Sequence, residues 1–303
     1  MPFCPILVDK IPDFARYDPL PNSKESLTID LSSARSSVLL ERPESVIVPQ
    51  THKALIGLFS FACLASTACM AQQAVPETAE TSCAEDRLNV SRTIEVSPGQ
   101  PSVSEQLADG EVILTFDDGP SGSRTRGVLD ALEAECVRAA FFLRGDEARW
   151  SAKLVREIAS RGHTLGGHGW AHSDLTKLSP AAAQADITRG LNGINRAFRK
   201  ADHPPEISLF RFPFVARNEA LTAMLADMGL VDIGVDVDGA DWTGNSAEEI
   251  VDLVMEKLEA RGRRGIVLLH DPFANSVEAT EGLLARLKAE NYAIVEIVPA
   301  PVR

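Results

Sequence analysis

Residues 111–120 read Glu-Val-Ile-Leu-Thr-Phe-Asp-Asp-Gly-Pro. The β-branched and aromatic run Glu111–Phe116 stops at two adjacent carboxylates and a Gly-Pro breaker, which predicts a strand with polar chemistry at its C-terminal end. Similar short runs follow at Ala139–Leu143 (AAFFL), Ser208–Phe212 (SLFRF), Ile233–Val237 (IGVDV), Gly265–His270 (GIVLLH) and Ala293–Val298 (AIVEIV), with a weaker one over Thr164–Gly166. Helices with marked ends lie between them. Ser179-Pro180 supplies an N-cap and a first-turn proline, and Ile187, Leu191, Ile194 and Phe198 recur at helical spacing. Ser246-Ala-Glu-Glu249 is a capping box followed by Ile250, Leu253 and Leu258 and closed by Gly262, while Gly162 and Gly229 close two others. Such alternation predicts parallel strands with crossover helices, an α/β fold. Periodicity leaves an open sheet and a barrel equally available.

The chain has 303 residues, with 30 Lys and Arg against 43 Asp and Glu, a net charge of −13. Its 45% hydrophobic and 24% charged content excludes a largely disordered chain, a collagen-like repeat and a polytopic membrane protein. The acidic balance argues against nucleic acid or an anionic membrane surface as partner. Ala54–Ala68 is apolar and follows His52 and Lys53, but it is shorter than the roughly 20 residues a membrane span needs. It reads as the core of a signal peptide. The expected organisation is an upstream extension and disordered leader over 1–71, a linker over 72–109 with at most one strand near Thr93–Val96, and a folded domain over 110–303.

Ser66-Thr67-Ala68 before Cys69 resembles a lipobox, although Ser66 stands where Leu is usual; cleavage after Ala71 is the competing reading. The expectation is export to the periplasm or envelope, with membrane contact only through a lipid anchor at Cys69. The Pro-studded residues 1–45 lack any period, so translation is expected to begin near Val46 or Val48. Cys83 and Cys136 remain in the mature part, as a pair or as two thiols.

Polar clusters fall where strands end. Thr115-Phe-Asp-Asp-Gly-Pro120, His168-Gly-Trp-Ala-His172, Arg211-Phe-Pro-Phe214, Asp238-Gly-Ala-Asp-Trp242 and His270-Asp271 each follow a predicted strand. In parallel α/β folds these ends converge on one face. Adjacent carboxylates repel, and a cation beside one leaves the other available as a base. Two histidines at i and i+4 share one side of a helical turn, and one Asp with two His makes an open divalent-metal site. A buried Arg211 requires a carboxylate partner.

These five motifs resemble, in order and approximate spacing, the polysaccharide deacetylase family (NodB homology domain, carbohydrate esterase family 4) over about Glu111 to Val298. The resemblance implies a distorted, incomplete (β/α) barrel forming a single catalytic domain. It implies a metal, usually zinc, held by Asp118, His168 and His172, with Asp117 as the general base that deprotonates the attacking water. His270 is similar to the family's general acid, tuned by Asp241, and Arg211 to the partner that positions Asp117. The backbone N–H of Phe214 resembles the oxyanion donor, and Trp242 and Leu268 the walls of the acetyl-methyl pocket. The implied substrate is an N-acetylated amino-sugar polymer or oligomer, such as peptidoglycan or a chitin-like chain.

Two departures stand out. Gly169 and Ser173 occupy positions where the family usually has Ser or Thr and Pro, which removes a hydroxyl that braces the loop; Phe214 replaces a common Tyr. An O-acetyl esterase and a non-catalytic glycan-binding relative are the alternatives within this resemblance. Phe116-Asp-Asp-Gly119 also resembles the aspartyl-phosphate phosphatases, but Gly119 stands where their second Asp belongs and the histidines would go unused.

Overall fold

β2 (Glu111–Asp117) is the strand around which the others assemble. The computed structural model describes residues 87–100 and 102–301; the leader, Cys69 and Cys83 lie outside them. On one side, β2 pairs with β3 (Ala140–Leu143), followed by β4 (Thr164–Gly167), β5 (Leu209–Phe210) and β6 (Val231–Asp232). On the other, it pairs with β8 (Gly265–His270), which carries β7 (Val237–Asp238). All these pairings are parallel, and β6 and β7 do not pair with each other. The ring is therefore open at one seam, which is the distorted, incomplete barrel that the resemblance implied.

The seam corrects the sequence expectation of a strand over Ile233–Val237. The Arg211 side chain takes the carbonyls that a neighbouring strand would otherwise use: Nε donates to Ile233 O at 3.0 Å and Nη2 to Gly234 O at 2.9 Å. Ser208–Phe212 shortens to the two residues of β5, paired with β4 on one side and β6 on the other.

The one strand allowed near Thr93–Val96 is present, and the residues around it belong to the folded unit instead of to a linker. β1 (Val90–Val96) pairs with β9 (Ala293–Pro299), which joins the barrel at the first two residues of β2. Ile94, Val96, Val103 and Leu107 are buried, so the folded unit begins ahead of Gly110. Ser91, Arg92 and Thr93 face solvent on this edge strand, which left only a faint alternation to read. Cys136 is disulfide-bonded, to a cysteine outside the described residues.

Strand alternation sorts the side chains into two cores. Ile113, Ile266, Ala140, Phe142, Leu209 and Ile233 fill the inside. Leu114, Phe116, Val267 and Leu269 face outward onto the helices, among them α1 (Gly122–Ala134), α6 (Ala247–Ala260) and α7 (Ala274–Ala289). The capping box of Ser246 and Glu249 begins α6 as expected, and Ser179 caps α4 (Pro180–Asn195) with Pro180 in its first turn. Along the inside, register pairs Ile113 with Ile266, Thr115 with Leu268, and Asp117 with His270. The interior thus runs from apolar to ionisable toward the C-terminal strand ends.

Arg211 is fully buried, and its Nη1 donates to Asp117 Oδ1 and Thr115 Oγ1, both at 2.8 Å. Removing one member of such a buried pair strands the other charge. Arg211→Leu is expected to lower the unfolding free energy by about 3–5 kcal/mol in urea titrations, and adding Asp117→Asn should restore part of that loss.

Candidate active site

The two carboxylates after β2 are split by a left-handed residue. Asp118 has φ +71°, so Asp117 stays inside the barrel while Asp118 turns toward its mouth. The next position tolerates only glycine, because a Cβ at Gly119 would lie 2.3 Å from the buried Asp271 carboxylate. Asp118 Oδ1 is buried and has no hydrogen-bond partner within the described structure.

That orphaned oxygen faces two imidazoles. His168 Nε2 lies 3.8 Å from it and His172 Nε2 3.7 Å. Two atoms bound about 2.1 Å from one ion at a tetrahedral angle are about 3.4 Å apart, so the three ligands fit a divalent cation with little adjustment. His168 Nδ1–H donates to the Arg211 carbonyl at 2.8 Å, which leaves Nε2 as the coordinating atom. Burial pushes His168 down to about 3 and lowers His172 as well, so both rings are neutral. No proton has to leave before a cation binds.

The loop carrying these imidazoles is not the helical turn that the i, i+4 spacing suggested. Gly169 and His172 have φ +70° and +57°, and the chain closes a tight turn between them. Its bracing replaces the missing hydroxyl. Trp170 N–H donates to Asp186 Oδ1 at 2.8 Å, from α4, while Gly145 and Asp146 N–H donate to the Gly169 and Trp170 carbonyls at 3.0 and 2.9 Å. The last two open α2 (Gly145–Trp150). A Cβ at Gly169 would lie 2.8 Å from Asp186 Oδ1, so the glycine and this carboxylate belong together.

Asp117 is fixed by Arg211 on one oxygen, and its other oxygen lies 3.7 Å from His168 Nε2. Burial raises its pKa against the pull of Arg211, which makes it a stronger proton acceptor than an ordinary carboxylate. His270, in register on β8, donates from Nδ1 to Asp241 Oδ1 at 2.8 Å. Asp241 is 1% exposed and also accepts from the His270 N–H at 2.7 Å and from Ser276 Oγ at 2.5 Å. Burial opposes the imidazolium, but the hydrogen bond and charge of Asp241, helped by Asp117 and Asp118, outweigh it and push His270 up to about 9. The site therefore holds neutral histidines for a metal and a charged one for proton donation.

Phe214 and Val215 both have left-handed φ, +59° and +53°, at the turn after β5, and the Phe214 ring meets His172 edge-on at 4.3 Å between centroids. Trp242 is half exposed and, with Arg124, Phe273 and Asn275, lines a cleft of about 350 Å³ beside Asp241. Leu268 is buried one register step below His270. Sequence reasoning assigned nothing to Arg144, which follows β3 and lowers His172 by its charge, or to Asp271, raised by burial to about 7. The signal for Arg144 was available, since it too is a polar residue at a predicted strand end.

The sequence profile of the family described as polysaccharide deacetylase matches residues 104–233. A chitooligosaccharide deacetylase of Sinorhizobium fredii is 33% identical over 53% of this chain and 71% of its own length. The chain belongs to the polysaccharide deacetylase family. A peptidoglycan-N-acetylglucosamine deacetylase of Listeria monocytogenes is 32% identical over 65% of this chain, which spans about two fifths (40%) of that relative. The structure of a peptidoglycan deacetylase from Bdellovibrio bacteriovorus superposes with a TM-score of 0.62 at 28% identity, covering 71% of this chain and 60% of that one.

Asp186→Ala frees the Trp170 amide and is expected to weaken binding of a divalent metal about 10-fold or more, as loss of outer support to metal ligands does. Gly169→Ser should weaken it too, by displacing the same carboxylate. The double variant should lose less than the two single losses combined, read by competition against a chromophoric chelator.

Proposed function

We propose that this protein is a metal-dependent hydrolase that removes acetyl groups from N-acetylated sugars of a polysaccharide or oligosaccharide. One observation carries the reading: neutral His168 and His172 face the unpartnered Asp118 oxygen, with Asp117 and His270 in register beside them. The names of the relatives, peptidoglycan and chitooligosaccharide deacetylases, support the substrate class. Family membership supports metal dependence, and two nitrogens with one carboxylate oxygen suit zinc. A cation held by these residues supplies the Lewis acidity that lets water ionise near neutral pH.

Asp117, held by Arg211, takes the proton of the attacking water. The Phe214 N–H is assigned to the oxygen that gains charge as the acetyl carbonyl is attacked. Trp242 and Leu268 flank the acetyl methyl. His270, kept protonated by Asp241, gives its proton to the departing amine, without which a C–N bond breaks poorly. An O-acetyl ester would use the same groups but needs that proton far less. Export fits the Cys136 disulfide, which persists in oxidising compartments; lipidation at Cys69 remains part of this proposal.

Acetate release from chitooligosaccharides, peptidoglycan and acetylated xylan tests the reading, with elemental analysis of the purified protein identifying the metal. Chelation should abolish release, and zinc should restore it. Release from xylan alone would replace the amidase reading with the esterase one. Because His270 is raised, its protonated form is present below about 9 and lost above it, so amide cleavage should fall as pH rises through that value. In Asp241→Asn the strongest pull against burial is gone while Asp117 and Asp118 still favour the imidazolium, so the alkaline limb of kcat/KM should move down from about 9.

A further inference from the structure

Beside the metal loop, four side chains outside the catalytic groups stack into a ladder. Arg189, on α4, places its guanidinium carbon 3.8 Å from the centre of the Trp170 ring. Arg149, on α2, lies 5.6 Å from that ring and 4.3 Å from the ring of Trp150. Trp170 sits two residues from each metal-site histidine, so the ladder is covalently continuous with the candidate active site. Trp150 is 77% exposed, the most exposed large hydrophobic side chain among the described residues. Neither Arg149 nor Arg189 forms an ion pair with a described carboxylate, whereas Arg144 and Arg161, just outside α2 and α3, both do.

The charge around the ladder runs against that of the chain. From Arg144 to Lys200, through α2, α3 (Ala152–Ser160) and α4, ten Lys or Arg stand against five Asp or Glu, in a protein of net charge −13. The exposed Trp150 indole suits the apolar C–H face of a pyranose ring, and guanidinium forks without a carboxylate partner suit carboxylates. A ligand matching both must alternate sugar rings with anionic groups. A neutral amino-sugar chain would use the rings and leave the cations unused.

We propose that Arg149, Trp150, Trp170 and Arg189 form a docking surface for a carboxylate-bearing amino-sugar polymer, selecting peptidoglycan-type over uncharged chitin-type chains. This deepens the deacetylase reading and, for its kinetic test, rests on it. The surface acts on polymer binding and leaves the chemical step to the groups at the metal site.

The test compares the full-length protein with Arg149→Ala/Arg189→Ala and with Trp150→Ala on two substrates, soluble peptidoglycan fragments retaining their stem-peptide carboxylates and chitopentaose. The double variant should raise KM on the peptidoglycan fragments about 5–20-fold with kcat within twofold, and leave chitopentaose kcat/KM within twofold. Salt at 0.5 M should raise the wild-type KM on the fragments and barely change that of the double variant. Trp150→Ala should raise KM on both substrates, because ring stacking is shared. Co-sedimentation with insoluble peptidoglycan, and with the same material after its carboxylates are amidated, reads binding without turnover. Wild type should sediment with the first and much less with the second. Equal KM changes on both substrates in the double variant, no change on either, or sedimentation indifferent to amidation would overturn the proposal. Absence of acetate release by wild type from any substrate would overturn the deacetylase reading, while sedimentation would still decide the ladder.

Discussion

The structure depends on one buried guanidinium. Arg211 has no exposed surface, yet each of its three side-chain nitrogens donates to a named acceptor: Asp117, Thr115, and the carbonyls of Ile233 and Gly234. It also lies 4.3 Å over the ring of Phe142, which closes the apolar interior beneath it. Its main chain is used as well, the N–H donating to Gly167 O and the carbonyl receiving His168 Nδ1–H. One residue therefore ties the chain after β6 to β2, aligns the candidate base and fixes the tautomer of a metal-facing histidine. A buried ion pair is weak evidence of stability, because desolvation offsets the Coulomb gain. Here its value is in orientation, since Asp117 cannot rotate without losing its partner.

The same economy explains why ionisable groups with opposite requirements coexist a few ångströms apart. His168 is buried and His172 half-buried, neither is hydrogen-bonded to a carboxylate, and both remain neutral. His270 is buried too, but Asp241 accepts from both its ring and its backbone, and the sign reverses. What separates them is the nearest hydrogen-bonded carboxylate, not the depth of burial. Asp241 in turn is held by Ser276 and, through its carbonyl, by Asn275, so α7 reaches into the chemistry from outside the barrel.

Much of this was legible in the chain. Strand ends carry the motifs, so Asp117, Asp118, His168, His172, Arg211, Asp241 and His270 all stood at the termini of apolar runs, and the structure gathers them. Helix ends with strong local chemistry, Ser179-Pro180 and Ser246 to Glu249, also fell where expected. What the sequence hid depends on contacts between distant segments. β1 is half exposed and shows little alternation. The run Ile233–Val237 has strand-like residues, but Arg211, more than twenty positions earlier, consumes its hydrogen bonds. The bracing by Asp186 and the ladder through Trp170 arise because α2 and α4 meet beside the metal loop, which no local pattern announces.

Gly169 and Asp186 form a mechanical pair. A side chain at position 169 would press into the carboxylate that reaches over from α4 to hold the Trp170 amide. Neither position can be altered without changing what the other does for the loop, so the effect of a substitution at one depends on the residue at the other.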